Sequence, residues 1–272
     1  MRKKMRVCLP IIRAGVDSMI AYRLNFLAFF VGSLMYCFIM YFIWLAVFHS
    51  SGGSSFMGFS MPDLVTYVFI TNLTGFAAHS GATRDVGEQI KDGSFSMLMI
   101  KPIGFDTYAL FQEIGSRFIV TLLLLPPVVI GVEWYRCWAY GHIVFNLATF
   151  LLYFLSIILS YLLSFYFSLS VGFLAFFLKN IWGFSMLKQS IVNFLSGAII
   201  PIAFMPLWAQ NILNCLPFAS LSYTPVMIYM GKYGPSQTAL LIALQVFWVL
   251  AFWGLSRLIW QLSVKHVTVQ GG

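Results

Sequence analysis

The sequence predicts an all-α integral membrane protein with six transmembrane helices. Of its 272 residues, 60% are hydrophobic and only 9% are charged, whereas soluble domains are about 25% charged. A bilayer-spanning helix needs roughly 20 apolar residues. Six runs meet this need, at 24–48, 62–81, 118–135, 143–178, 184–204 and 238–261. Because these runs lack the apolar–polar alternation of a membrane barrel, we expect helices that satisfy their own backbone hydrogen bonds.

The basic residues predict which side of the membrane each loop occupies. They fall in every second loop, and with the N-terminus inside only Arg136 and Lys232 remain outside. This asymmetry follows the positive-inside rule and places both termini in the cytosol. The net charge of +8 would by itself suggest nucleic acid as a partner. Its distribution over alternate loops favours membrane topology instead, so no nucleic-acid partner is expected.

The segment that precedes the first span, residues 10–20, has the pattern of an amphipathic helix on the inner membrane surface. Pro10 is favourable at a first helical position. Ile12 and Val16 recur at helical spacing on one side, whereas Asp17 faces another way. An ordinary start to the first span is the alternative interpretation.

A short polar segment, residues 82–102, separates the second and third spans. Val86 and Ile90 can line one side of a helix. The other side carries the charged residues Arg84, Asp85, Glu88 and Lys91. Gly93 is expected to end this helix, and Pro102 to stop a second piece and permit a bend into the next span. A solvated hairpin loop and a rigid cytosolic segment that contacts a soluble partner both fit this pattern.

Two charged residues stand near the start of the third span. Glu113 and Arg117 are four residues apart and can pair on one face of a helix. Because a charge inside the membrane is costly unless it is paired or wet, we expect the pair at the inner boundary or beside a wet cavity. It would serve there as an interface anchor or contact substrate. Pro126 and Pro127 are expected to kink the helix further on.

The fourth run, 143–178, is long for one crossing, because as a helix it would measure roughly 54 Å against a hydrocarbon core of about 30 Å. Two short spans would disturb the charge pattern of the loops, so we expect one long helix that projects into the cytoplasm. Serines recur along it every four residues, at Ser156, Ser160, Ser164 and Ser168. Such a stripe is typical of tight helix packing, and the alternative is a polar seam along a substrate path.

The region that follows the fifth span, residues 197–231, is apolar but broken. Glycine and proline interrupt it at Gly197, Pro201, Pro206, Pro217 and Pro225. Short helices that dip into the outer leaflet and return fit both features, provided that the broken backbone is buried in protein or lines water. On the same outer side, Cys137 and Cys215 either form a disulfide or are unrelated thiols. The four cysteines are too dispersed for a metal cluster, and no metal site is predicted.

Two segments in register resemble type 2 ABC exporter permeases. Ile90–Pro102, which reads I-K-D-G-S-F-S-M-L-M-I-K-P, resembles the isoleucine, glycine, leucine-rich and basic-proline signature that follows the second span in this family. The segment from Gly197 to Gly231 is similar to the outer re-entrant region of the same family. Both fall where the six-span order of the family has them. The chain is similar over essentially its whole length to small bacterial permeases of the daunorubicin- and viologen-exporter kind.

The resemblance implies that residues 82–102 form a coupling segment that docks on a separate ATPase subunit. The residues implied in this contact are Arg84, Asp85, Glu88, Ile90, Lys91, Gly93, Phe95, Leu98 and Pro102. Residues 10–20 would be the connecting helix, and residues 197–231 would cap a substrate path between two permeases. The second permease would be a different chain, giving a heterodimer, or another copy of this one, in contact with lipid of the bacterial cytoplasmic membrane.

No cofactor is expected on this chain, because the phosphate-binding pattern GxxxxGK[ST] is absent. ATP and Mg²⁺ would instead be bound by the ATPase subunit, so the chain is predicted to be a transporter subunit and not an enzyme. An intramembrane enzyme and a secondary transporter are the alternatives, although H-E-x-x-H and G-x-S-x-G are absent and the carboxylates map to loops and span ends. The many Phe, Met and Tyr residues suit an apolar cargo without identifying it.

Overall fold

The structure is a computed structural model that describes residues 2–21, 23–51, 55–99, 103–177 and 181–263. Within these ranges the chain folds into eleven α-helices, one β-hairpin and three 3₁₀ turns. The helices are α1 (Arg2–Ala21), α2 (Arg23–Ser51), α3 (Met61–Ala78), α4 (Ala82–Lys91), α5 (Phe95–Met99), α6 (Phe105–Tyr140), α7 (Leu147–Phe173), α8 (Ile181–Leu195), α9 (Leu207–Cys215), α10 (Tyr223–Tyr229) and α11 (Pro235–Ser263). The hairpin pairs β1 (Ser55–Phe56) with β2 (Phe59–Ser60). The 3₁₀ turns are Leu174–Phe176, Ile202–Phe204 and Ala219–Leu221.

Among the described residues, four helical stretches are long and apolar enough to cross a bilayer. They are Phe30–Ser50 in α2, the whole of α6, Leu147–Phe176 and the whole of α11. They correspond to the predicted spans one, three, four and six and define a multi-pass membrane protein. α3 and α8 occupy the places of the predicted spans two and five, and α3 is largely buried in the protein. Six crossings stay a prediction.

The bounds of two predicted spans differ most from those of the helices in the structure. The third, predicted at 118–135, belongs to the longer α6 that begins at Phe105. The predicted range was too short because a paired charge does not interrupt a helix. The fifth, predicted at 184–204, was wrong at its end, since α8 stops at Leu195 and Gly197 adopts a left-handed φ of 78°, which terminates a helix.

α1 is a helix separate from α2 and packs on α6. It begins at Arg2, so the prediction that Pro10 opens it was wrong. An internal proline removes one backbone hydrogen bond, and tertiary packing supplies most helical stability in proteins, so the helix continues. Ile12 is half-buried, whereas Arg13 and Asp17 are exposed. α1 is therefore amphipathic, with its less exposed side toward protein.

Two long helices run without interruption. The predicted fourth span is one helix, because α7 has 27 residues and only the short 3₁₀ turn to Phe176 follows it. Asn146 caps α7 by accepting a hydrogen bond from the backbone N–H of Ala148 at 2.9 Å. α6 continues through Pro126 and Pro127, and the kink predicted there stays a prediction.

α3 forms the centre of the helical core. It contacts α2, α6, α7 and α10, and its side chains Leu64, Tyr67 and Ile70 are fully or almost fully buried. The helix starts with a capping box, in which Ser60 Oγ accepts from the Asp63 N–H and an Asp63 carboxylate oxygen accepts from the Ser60 N–H. The membrane helices are therefore arranged around a buried central helix with a defined start.

Candidate functional site

The polar segment predicted between the second and third spans forms a helix–turn–helix of α4 and α5. α4 ends at Lys91, and Gly93 adopts a left-handed φ of 77° after the capping residue Asp92, which confirms the predicted helix end. Asp92 Oδ1 accepts hydrogen bonds from Ser94 Oγ at 2.6 Å and Ser94 N at 2.9 Å. These bonds lower the pKa of Asp92. Pro102 lies outside the described residues.

One face of α4 packs closely against α7 and α8. Its buried residues are Ala82, Thr83, Val86 and Gly87. A Cβ atom added to Gly87 would lie 2.3 Å from Ile181 Cγ2, and one added to Gly172 of α7 would lie 3.1 Å from the Ala82 carbonyl oxygen. The two glycines therefore permit an approach that larger residues would block, and this approach fixes the position of α4.

Phe95 of α5 is the centre of an aromatic cluster at the ends of three longer helices. Its ring centroid lies 4.7 Å from that of Phe105 in α6, 5.2 Å from Phe176 after α7 and 5.7 Å from Trp260 in α11. Phe95 is buried. Ile90 and Leu98, also predicted site residues, are half-buried beside this cluster. α5 is thus anchored to three helix ends.

The opposite face of α4 is exposed and charged. It presents Arg84, Asp85, Glu88 and Lys91. Arg84 Nε lies 2.8 Å from Glu88 Oε1, and the side chains of Arg84 and Glu88 are 66% and 59% exposed. An exposed pair of this kind contributes little to stability. Because these side chains are exposed, this face of α4 is available for contact with another molecule.

The N-terminal end of α4 is held by Glu113 of α6. Gly81, the N-cap residue, offers no side-chain cap. Glu113 supplies it from outside, since Oε1 accepts from the Gly81 N–H at 2.8 Å and Oε2 accepts from Ser80 Oγ at 2.9 Å. Arg117 Nε lies 3.8 Å from Glu113 Oε1, so the predicted i,i+4 pair is formed.

Lys188 of α8 also contacts the first turn of α4. Its Nζ donates to Thr83 Oγ1 at 3.0 Å and to Ser168 Oγ at 2.8 Å. Thr83 Oγ1 in turn donates to the Ser168 carbonyl oxygen at 2.8 Å. No sequence pattern distinguished Lys188, although a lone lysine in an apolar run requires a buried partner. We refer to Ser80, Gly81, Thr83, Glu113, Ser168 and Lys188 as the polar joint.

The serine stripe of α7 makes contacts with other segments of the same chain. Ser156 Oγ donates to Gln245 Oε1 at 2.9 Å, and Ser160 Oγ donates to the Ser220 carbonyl oxygen at 2.7 Å. Both serines are fully buried, and Ser164 is half-buried. These contacts are those of helix packing, and a place on a substrate path stays a prediction.

The segment predicted as the outer re-entrant region consists of short helices, with buried residues throughout α10. The Gly197 carbonyl oxygen accepts from Tyr67 Oη at 2.6 Å. The prolines lie at helix starts or turns, with Pro201 and Pro206 as N-cap residues, Pro217 after α9 and Pro225 in the first turn of α10. Cys137 and Cys215 are free thiols, so the disulfide alternative was wrong.

One hydrogen bond and one ion pair connect the end of α10 and the residue that follows this segment to the rest of the chain. Arg136 Nη1 donates to Glu133 Oε1 at 2.7 Å, and Tyr229 Oη donates to the same oxygen at 2.5 Å. Lys232 Nζ lies 2.8 Å from Asp63 Oδ2. α6 and the start of α3 therefore hold the end of α10 and the residues after it by charged contacts.

The described residues thus form a multi-pass α-helical membrane protein with an amphipathic helix–turn–helix packed against the ends of its long helices. The chain belongs to the ABC-2 transporter family, because the family model described as ABC-2 family transporter protein matches residues 34–271. The resemblance to type 2 ABC permeases that the sequence predicted is thereby confirmed. No curated protein matches the chain at a significant level.

Proposed function

We propose that this chain is the membrane-spanning permease subunit of an ATP-driven exporter, and that a separate ATPase subunit docks on the exposed face of α4. Membership of the ABC-2 family supports a transport function. The observation that carries the docking proposal is the asymmetry of α4, which packs closely against α7 and α8 on one face and presents four charged residues on the other.

Contacts of α4 and α5 give a route for movement into the membrane. α4 contacts α7 and α8, and Phe95 of α5 contacts Phe105 at the start of α6 and Trp260 near the end of α11. Closure of the ATPase subunits would displace these helix ends together. The displacement biases the equilibrium between inward- and outward-facing states only if the nucleotide-bound ATPase contacts α4 differently from the nucleotide-free form.

The remaining parts of the assembly follow from the same proposal. α3 and α8 complete six crossings, both termini are cytosolic, and residues 197–231 lie on the outer side of a bacterial cytoplasmic membrane. Two permeases, this chain with a different one or with a second copy, enclose the substrate path. ATP and Mg²⁺ bind to the ATPase subunit, whereas this chain binds neither and interacts with membrane lipid through its exposed apolar residues.

Purification of the chain from its native membrane, followed by an assay of vanadate-sensitive ATP hydrolysis, tests this proposal. We expect an ATPase subunit to accompany the chain. The charge exchange Glu88→Lys with Lys91→Glu should release it, because the charge pattern of α4 changes while the net charge is constant. Retention of the ATPase by the exchanged chain would contradict docking on α4. A native preparation without vanadate-sensitive hydrolysis would contradict ATP drive itself.

A further inference from the structure

The first turn of α4 depends on side chains from other helices. Gly81 gives α4 no side-chain cap of its own, and the first N–H groups of a helix need partners. Glu113 accepts from the Gly81 N–H, and Ser80 Oγ, itself a donor to Glu113, accepts from the Ala82 N–H at 3.2 Å. The carboxylate also lies at the positive end of the α4 dipole. α6 thus supplies both the hydrogen bonds and the charge that the start of α4 requires.

The charge of Lys188 favours a single position of α4 relative to α6, α7 and α8. Its ammonium donates to Thr83 of α4 and Ser168 of α7, both neutral hydroxyls, and Glu113 is the carboxylate that acts on it electrostatically. The Glu113 side chain is only 10% exposed. Separation of α4 from α8 would remove Thr83 from the Lys188 ammonium, and separation of α4 from α6 would leave the Glu113 carboxylate with Arg117 alone. Loss of partners by a largely buried charge is unfavourable.

We infer that Glu113 and Lys188 are positioning residues that make α4 move as one body with the adjacent ends of α6, α7 and α8. The inference rests on the proposed function, because it gives the coupling helix its mechanical connection to the membrane helices. Hydrophobic residues of similar size often stabilise a buried site as well as ions do. The polar joint instead fixes a single orientation of α4. A displacement of the exposed face of α4 therefore moves the adjacent ends of α6, α7 and α8 by the same amount.

The first measurement is amide hydrogen exchange of the purified chain in detergent. Lys188→Met keeps much of the side-chain volume and removes the ammonium, and Glu113→Gln keeps the shape and removes the charge. We expect exchange across residues 80–92 to rise about tenfold in either variant, since hydrogen bonds to charged groups are the stronger ones. Gln189→Met is the matched control, because the Gln189 amide donates to Asn193 in the same helix. Lys188→Arg keeps a positive charge at this position and should exchange over residues 80–92 as slowly as the unchanged chain.

The second measurement uses the complex with the co-purified ATPase. Nitroxide labels at positions 89 of α4, which lies outside the charged docking face, and 184 of α8, in a chain with its four cysteines replaced by alanine, report the distance between these helices by pulsed electron paramagnetic resonance. We expect the same narrow distribution of label-to-label distances without nucleotide and after trapping with ATP and vanadate. In Lys188→Met the distance should broaden or shift on trapping.

The outcomes separate this inference from the proposed function. Absence of vanadate-sensitive hydrolysis in the unchanged complex would contradict the proposed function. Unchanged exchange in residues 80–92 of both variants, or an unchanged label distance in Lys188→Met, would overturn the positioning role while the ATPase partnership stands. Increased exchange over the whole chain would also overturn it, because the two residues would then be general stabilisers.

Discussion

Replacement of Gly115 by alanine should detach α1 from α6. The two helices cross in direct backbone contact, since a Cβ atom on Gly115 would lie 2.1 Å from the Ile12 carbonyl oxygen and one on Gly15 would lie 2.2 Å from the Gln112 carbonyl oxygen. Ordinary van der Waals contact begins at 3.4 Å. The obstructing atoms belong to backbone, so no side chain can rotate away. The helices must therefore separate by about 1 Å.

Two opposing effects set the magnitude of this change. Alanine is more favourable than glycine inside a helix by about 1 kcal/mol. An added methyl group in a closed contact costs about 1–3 kcal/mol, and separation of α1 also exposes the half-buried Ile12 and Val16. We expect the free energy of unfolding of Gly115→Ala to be lower than that of the unchanged chain. Gly131→Ala in the same helix is the matched control and should gain stability, because nothing lies within 4 Å of its added Cβ.

The assay compares both variants with the unchanged chain in one detergent. Gly115→Ala should lower the midpoint of thermal unfolding, speed amide exchange over residues 9–21 and increase cleavage by trypsin after the exposed Arg13. Gly131→Ala should raise the midpoint and leave α1 unchanged. If Gly115→Ala raises the midpoint as Gly131→Ala does, with α1 equally protected, the backbone crossing is not as close as described and the reasoning fails.

Three further predictions concern other parts of the molecule. Gly93→Val should open the α4–α5 turn and release the ATPase, whereas Gly93→Asn should retain it, because Asn tolerates a left-handed φ; co-purification measures both. Arg136→Met should destabilise the chain by about 1.5–3 kcal/mol, because Glu133 keeps the Tyr229 hydroxyl as a donor but loses its charged partner, and addition of Glu133→Gln should recover most of the thermal midpoint. Gln245→Leu should cost about 1–3 kcal/mol, because the fully buried Ser156 hydroxyl loses the Gln245 oxygen to which it donates; a midpoint that does not change would favour a wet seam along α7.

Local patterns in the sequence predicted those features that local physics determines. The charge and apolar periodicity of residues 82–91 predicted the two faces of α4, and the glycine at 93 predicted its end, since both depend on neighbours within one or two turns. The single long α7 also followed from composition and charge. The apolar runs gave the four longest membrane helices, although their bounds differ, because packing and not hydropathy alone decides where a helix stops.

Contacts between distant residues account for what the sequence did not predict. Glu113 and Arg117 were expected to pair, and they do, but the more informative partners of Glu113 are Ser80 and Gly81, far away along the chain. No periodicity reveals such a contact. The serine stripe predicted tight helix packing but not its partners; in the structure Ser156 and Ser160 make packing contacts and Ser168 belongs to the polar joint.

α6 links the two charged clusters of the molecule. Glu113 belongs to the polar joint near the start of α6, and Glu133 belongs to the ion pair that contacts Tyr229 in α10. At 1.5 Å per residue these glutamates are about 30 Å apart, which is close to the thickness of the hydrocarbon core. One helix thus contacts the N-terminal end of α4 near its start and the short-helix segment near its end. Under the proposed docking on α4, a displacement of α4 would act on α6 through Glu113, and the two clusters are then expected to rearrange together.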